Sequence, residues 1–134
     1  MKQDYKKIVS EVLGAIQGYR TETLDLAKVD RGITVFKCYK LELRELFHES
    51  NRLYMCAKID YEEAKAKKYK EYRGMYSGLD STNYAKLDCI EQGRATVDLK
   101  CQRDKCRGMM DDLTDIIIDL QVKRRSMLNE ITYG

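Results

Sequence analysis

The sequence predicts an all-α protein built around a long antiparallel helical hairpin, and three observations support that fold class. The chain has 134 residues, no proline and only eight glycines, so few positions interrupt a helix. Charged residues make up 35% and aromatic residues 9%, which is typical of long helices that bury one narrow stripe. Apolar residues also recur at steps of three and four along most of the chain, which is helical periodicity. The length is that of a single domain.

The N-terminal part, residues 1–30, is expected to form short helices. Its first helix is predicted from about Lys2 to Tyr19, where apolar side chains share one face. Thr21 begins a segment typical of an N-cap, followed by a second short helix through Val29. The sequence Asp30-Arg31-Gly32 then indicates a turn.

A first long helix is predicted over residues 33–73, because neither glycine nor proline occurs between Gly32 and Gly74. A helix of that length extends about 60 Å at 1.5 Å per residue. One face carries a heptad-like stripe that includes two polar positions, Ser50 and Asp60. The members of the stripe are Tyr39, Leu43, Leu46, Ser50, Leu53, Ala57, Asp60 and Ala64.

A turn is predicted over residues 74–81 and a second long helix over residues 82–131. Gly74 and Gly78 interrupt the helical pattern, and Asp80-Ser81-Thr82 offers an N-cap for the next helix. Gly93 and Gly108 lie inside that helix, where each costs up to about 1 kcal/mol relative to Ala and allows another backbone to approach closely. The apolar side of this helix is formed by Cys106, Met109, Leu113, Ile116, Ile117, Leu120, Met127 and Ile131.

Folding the hairpin at this turn produces a base rich in apolar residues and a tip poor in them. Two helices alone bury little apolar surface, so further helices must cover the base. We expect both the N-terminal helix and a second copy of the chain to do so, giving a dimeric helical bundle. The expected self-association core consists of Leu43, Leu46, Leu113, Ile116, Ile117 and Leu120.

The tip combines cations with tyrosines at helical spacing, and it is the first candidate binding surface. Cationic side chains suit phosphates and aromatic rings suit bases, which is the combination that single-stranded nucleic acid requires. Residues 62–107 contain 11 Lys and Arg against 8 Asp and Glu, a slight excess. The alternative is a tip packed by tyrosines, with lysine stems lying over the rings. The candidate residues are Tyr61, Lys65, Lys68, Tyr69, Tyr72 and Arg73.

A row of carboxylates on the second long helix is the other candidate. Asp111, Asp115 and Asp119 repeat every four residues, on the face opposite Leu113. Such a row suits a basic partner surface, and its oxygens are also ligands that Mg²⁺ accepts. The simpler interpretation is a solvated face balanced by the basic run 123–125.

No sequence motif indicates catalysis, a metal site or a cofactor. The single histidine, His48, lies in none of the known metalloprotease or hydrolase motifs, and no glycine-rich phosphate loop is present. Five scattered cysteines without a CxxC pair argue against disulfides and zinc, and we expect reduced thiols that mostly fill apolar space. Without an apolar run long enough to cross a membrane or an N-terminal signal core, a cytoplasmic, non-enzymatic protein is expected.

Residues 53–131 resemble small coiled-coil proteins of bacteriophage and prophage genomes. The resemblance is carried by Tyr61-Glu-Glu-Ala-Lys-Ala-Lys67, the short turn, and the charged helix ending Val122-Lys-Arg-Arg-Ser-Met-Leu128. It implies an accessory role without catalytic residues, in the host cytoplasm. The first hypothesis is a nucleic-acid-associated role in phage replication or recombination. The alternatives are an inhibitor that binds a host nuclease or defence complex, as anti-CRISPR proteins do, and a structural coiled-coil subunit.

Overall fold

The computed structural model describes the backbone of residues 2–133 and the side chains of residues 5–132, and over these residues it contains helices and no strands. The all-α prediction is confirmed, and the two long helices pack against each other as a helical hairpin. The four helices are α1 (Lys2–Thr21), α2 (Leu26–Arg73), α3 (Gly78–Asp88) and α4 (Ile90–Tyr133).

Helix α2 begins at Leu26, seven residues earlier than the predicted long helix, so the expected short second helix and the turn at residues 30–32 are both corrections. The side chain of Asp25 caps the helix, since its Oδ1 accepts a hydrogen bond from the Lys28 backbone N–H at 2.8 Å. Gly32 lies within this helix, close to a side chain of α4. A Cβ at this position would lie 3.2 Å from Cδ1 of Leu120.

The predicted helix 82–131 is divided, because α3 and α4 are separate helices that meet at Cys89. The first begins four residues earlier than expected, since Ser77 is its N-cap and its side chain accepts a hydrogen bond from the Asp80 backbone N–H at 3.2 Å. Cys89 leaves the helical geometry, with φ −107° and ψ 17°. Neither glycine nor proline marks this break in the sequence.

The chain divides into two compact units. The terminal unit comprises the residues up to Phe47 together with those from Lys105 onward, and the middle unit comprises His48–Asp104. The terminal unit therefore contains α1 and parts of both long helices. The middle unit contains α3 and the remaining parts of the long helices.

The core of the terminal unit joins α1 to the two long helices, so the N-terminal helix covers the base as expected. The residues expected to drive self-association are already covered within one chain: Leu43, Leu113 and Leu120 are at most 1% exposed, Leu46 and Ile117 are buried, and Ile116 is half-buried. A second copy would have to bind elsewhere. The buried residues of this core are Tyr5, Val9, Val12, Ile16, Val29, Phe36, Leu43, Leu46, Cys106, Met109, Leu113, Ile117 and Leu120.

The middle unit has no comparable core among its described side chains. Its buried residues are all small or polar: Ser50, Ser81, Ala85, Cys89 and Thr96. The predicted contrast between an apolar base and a poorer tip is therefore confirmed. No helix in the described part of the chain combines the length and apolar character needed to span a membrane.

The cysteines only partly follow the expectation that they fill apolar space. All five are free thiols; Cys89 and Cys106 are buried, and Cys38, Cys56 and Cys101 are exposed. Burial raises the pKa of the Cys106 thiol, which keeps it protonated and unreactive.

Candidate binding groove of the middle unit

Three tyrosines pack against one another at the end of the middle unit where α2 turns into α3. The ring of Tyr84 lies 5.4 Å from that of Tyr72 and 4.9 Å from that of Tyr76, measured between centroids. The hydroxyl of Tyr72 donates to Oδ2 of Asp88 at 2.5 Å. This hydrogen bond to a carboxylate is the main cause that raises the pKa of Tyr72 to about 12. Tyr72, one of the predicted binding residues, thus joins helices α2 and α3.

Tyr61 also has a structural partner. A Cβ at Gly93 would lie only 3.1 Å from the ring of Tyr61, so the glycine lets this ring lie against α4. The close approach expected at Gly93 exists, but a ring makes it rather than a backbone. The ammonium group of Lys65 lies 4.4 Å from the centre of the same ring and 3.3 Å from the carboxylate of Glu62. Its charge is shared between these two neighbours.

The remaining predicted tip residues also contact neighbouring residues of the chain. Lys68 forms an ion pair with Glu71 at 3.4 Å, and Arg73 donates to the carbonyl of Tyr76 at 3.1 Å. The hydroxyl of Tyr69 lies 3.6 Å from where a Cβ at Gly78 would stand. Residues 48–104 together carry 11 Lys and Arg against 10 Asp and Glu. The middle unit is therefore nearly neutral, and the candidate rings and cations of the tip have partners within the chain.

The middle unit has a groove of about 810 Å³ formed by α2, α3 and α4. Its floor exposes three apolar side chains of α3 and α4: Leu87 is 63% exposed, Ile90 43% and Val97 57%. The sequence did not indicate a groove here, although positions 87, 90, 94 and 97 are spaced by three and four residues. Spacing alone does not show whether another helix covers these side chains or leaves them exposed.

The rim of the groove carries charges of both signs. Lys58 and Lys86 line it together with Glu62 and Asp98, and Arg94 forms an exposed ion pair with Glu91 at 3.4 Å. Mixed charge around an apolar floor is typical of protein-binding surfaces, which have an apolar centre and a polar rim.

One end of the groove is held in place by polar contacts within the middle unit. The guanidinium of Arg103 lies 4.6 Å from the ring centre of Tyr54, which lines the groove. The same guanidinium donates to Oδ1 of Asn51 at 3.2 Å. These contacts link α2 to α4 and orient the Tyr54 ring that forms part of the groove wall.

The predicted acidic row lies in the terminal unit, and its three carboxylates differ in their contacts. Asp119 accepts a hydrogen bond from the Tyr19 hydroxyl and pairs with Lys123 at 3.0 Å. Both contacts lower the pKa of Asp119, the Tyr19 hydrogen bond most strongly. Asp111 and Asp115 are exposed and form no ion pair with any described residue. Within the described residues, no group of three or more His, Cys, Asp or Glu side chains is arranged to hold a metal ion.

Comparisons with protein families, with curated proteins and with solved structures found no match for this chain. The class of protein is therefore defined by the fold and the groove alone. It is an all-α protein with one well-packed unit and one unit that exposes an apolar groove.

Proposed function

We propose that this chain is a non-catalytic binding protein, and that the groove of the middle unit binds an amphipathic helix of a partner protein. The observation that carries the proposal is the distribution of apolar side chains in this unit. Its buried positions hold only small or polar residues, whereas Leu87, Ile90 and Val97 stand exposed around one groove. Contiguous apolar surface with a polar rim is typical of a protein-binding site.

The dimensions of the groove support a helix as the bound element. Its lining residues run from Asn83 on α3, across the break at Cys89, to Asp98 on α4. A helix bound in such a groove inserts side chains at steps of three and four residues. Ile90 and Val97, seven residues apart, lie on one side of α4 and offer apolar contacts to such side chains. The rim charges of both signs would then pair with the polar sides of the bound helix and set its direction.

Nucleic-acid binding, the first hypothesis from the sequence, has less support in the geometry. Stacking requires free aromatic faces, whereas the rings of Tyr72, Tyr76 and Tyr84 contact one another. The charge of the middle unit is nearly balanced, so it offers little attraction for a phosphate backbone. Among the roles implied by the phage resemblance, the proposal therefore favours binding to a host protein.

The experiment is affinity purification from nuclease-treated bacterial lysate, with variants that place a charge on the groove floor. Val97→Asp should abolish recovery of a stoichiometric protein, because a buried, unpaired carboxylate opposes apolar contact. The matched control is Ile59→Asp, which alters a side chain that is 54% exposed but does not line the groove. Circular dichroism checks that both variants keep their helices.

A photo-reactive side chain at position 87 provides an independent measurement. It should crosslink to the same partner, and the crosslinked peptide of that partner should have an apolar face at helical spacing. Equal recovery with Val97→Asp and with wild type would refute the groove as the binding site. Loss of all captured material after nuclease treatment would instead favour nucleic acid. A gel shift abolished by changing Lys65, Lys68 and Arg73 to Ala would then identify the tip.

A further inference from the structure

A second groove, in the terminal unit, lies between α2 and α4 and is bordered by cations. It encloses about 330 Å³, and Lys37, Lys40 and Arg44 of α2 line it. Its apolar part includes Leu41, which is 61% exposed, and Ile118 of α4, which is 53% exposed. None of the three cations forms an ion pair with a described residue. Their charges are therefore available to an external partner.

The exposed face of α4 beside this groove carries the opposite charge. Asp111 and Asp115 precede Ile118 and Val122 at steps of four, three and four residues, so all four share one stripe of the helix. Val122 is 58% exposed, and neither carboxylate pairs with a cation in the described part of the chain. The exposed surface that α2 and α4 form in the terminal unit thus has cations on α2 and, on the stripe that shares Ile118 with the groove, carboxylates on α4.

The register between the two helices places the opposite charges at matching heights. The guanidinium of Arg124 contacts Asp30 at 2.6 Å, and that of Arg107 lies 5.2 Å from the ring centre of Phe47. α2 and α4 run antiparallel, so each step along one helix corresponds to a step back along the other. Counting from these contacts, Arg44 lies level with Asp111 and Lys40 with Asp115, each within about one residue or 1.5 Å along the axis.

We infer that this face binds the same face of a second copy of the chain. A two-fold axis parallel to the helices would place α2 of one copy opposite α4 of the other without changing the heights. Arg44 and Lys40 of each copy then face Asp111 and Asp115 of the other, and the exposed Leu41 and Ile118 lie within the same interface. The perpendicular two-fold axis would bring the cations of the two copies together and is disfavoured by repulsion.

The interface differs from the self-association core expected from the sequence, and it is independent of the groove in the middle unit. It uses side chains that the chain itself leaves exposed, whereas Leu43 and Leu113 are fully buried in one copy. The charges at its margins are few. Glu45 is exposed beside Arg44, and Arg125 is exposed toward the end of α4. Glu45 lies about 100° further round α2 than Arg44, and Arg125 lies ten residues, or about 15 Å, beyond Asp115.

Sedimentation equilibrium of charge-reversed variants tests the inference directly. Wild type should have the mass of two chains at micromolar concentration. Lys40→Glu with Arg44→Glu should weaken the dimer at least about tenfold, because like charges then face each other. Asp111→Lys with Asp115→Lys should do the same. Mixing the two double variants should restore association as a heterodimer, and combining all four changes in one chain should restore the homodimer.

The controls separate this interface from general effects of charge and folding. Lys67→Glu with Lys70→Glu makes the same change of charge on exposed residues of the middle unit and should leave the dissociation constant unchanged. Circular dichroism should show unchanged helix content in every variant, and Leu41→Asn tests the apolar contact without altering charge. A single-chain mass for wild type throughout the micromolar range would overturn the inference. So would a dimer that tolerates both reversals, or reversed variants that fail to associate when mixed.

Discussion

Replacing either of two glycines of the terminal unit by Ala tests how closely its helices pack. Gly108 of α4 and Gly32 of α2 both lie inside long helices, where Ala is favoured over Gly by about 1 kcal/mol. An added Cβ at Gly108 meets no atom within 4 Å, so Gly108→Ala should realise most of that gain. For a chain of this size, 1 kcal/mol corresponds to a rise in Tm of roughly 3–5 °C.

At Gly32 the same change is opposed by contact with α4. The new Cβ would lie 3.2 Å from Cδ1 of Leu120, inside the optimal carbon–carbon separation of about 3.5–4.0 Å. Leu120 is 1% exposed and therefore has little room to move. Overpacking of this kind costs about 1–3 kcal/mol, which cancels or exceeds the helical gain. Gly32→Ala should consequently be between neutral and about 2 kcal/mol less stable than wild type.

Urea unfolding followed by far-ultraviolet circular dichroism measures both free energies of unfolding. The free energies of unfolding of the two variants should differ by at least about 1 kcal/mol. The slope of the free energy against urea concentration should be the same for both. Equal stabilisation by both changes would show that Leu120 does not pack against α2 at this point. Destabilisation by Gly108→Ala would show that something covers that part of α4, since no described residue comes within 4 Å of the added Cβ.

Two further predictions concern polar groups. Asp119→Asn should lower stability by about 1 kcal/mol or less near neutral pH, because the contacts it weakens are largely exposed. Since folding lowers the pKa of Asp119, its contribution is complete above the ordinary value of 3.8 and is lost as the pH falls below it, so urea unfolding should show the difference from wild type vanishing in acid. Ser50→Ala should raise Tm, with a gain of about 1 kcal/mol, because the fully buried Ser50 hydroxyl has no hydrogen-bond partner among the described residues; a lower Tm in calorimetry would contradict this.

The proposed binding groove shows what kind of feature sequence patterns leave out. Leu87, Ile90 and Val97 follow helical steps in the same way as the buried residues of α4 do. Periodicity identifies the side chains that share a face, but it does not identify the face that another helix covers. In the terminal unit α1 supplies that cover, and the structure describes no equivalent helix in the middle unit. The exposed groove is thus a property of the packing.

The tyrosines of the tip also have contacts that their spacing in the sequence did not reveal. Their spacing with lysines suggested a stacking platform for nucleic acid, whereas the alternative of a tip packed by its own tyrosines describes the observed contacts. The Tyr72 hydroxyl donates a hydrogen bond to Asp88, and the Tyr61 ring packs against Gly93. Both partners are distant in sequence, so residue type and local spacing could not reveal them.

The sequence by itself determined the all-α class, the hairpin with its turn after Gly74, and the contrast between an apolar base and a poorer tip. These follow from local rules: the absence of proline, the spacing of glycines and the density of apolar residues per turn. Only the tertiary structure shows that Asp30-Arg31-Gly32 is helical and packs along α4, where Gly32 lies next to Leu120 and Asp30 pairs with Arg124. It also decided which apolar and charged stripes remain exposed, since exposure depends on neighbours that the chain brings from far along its length.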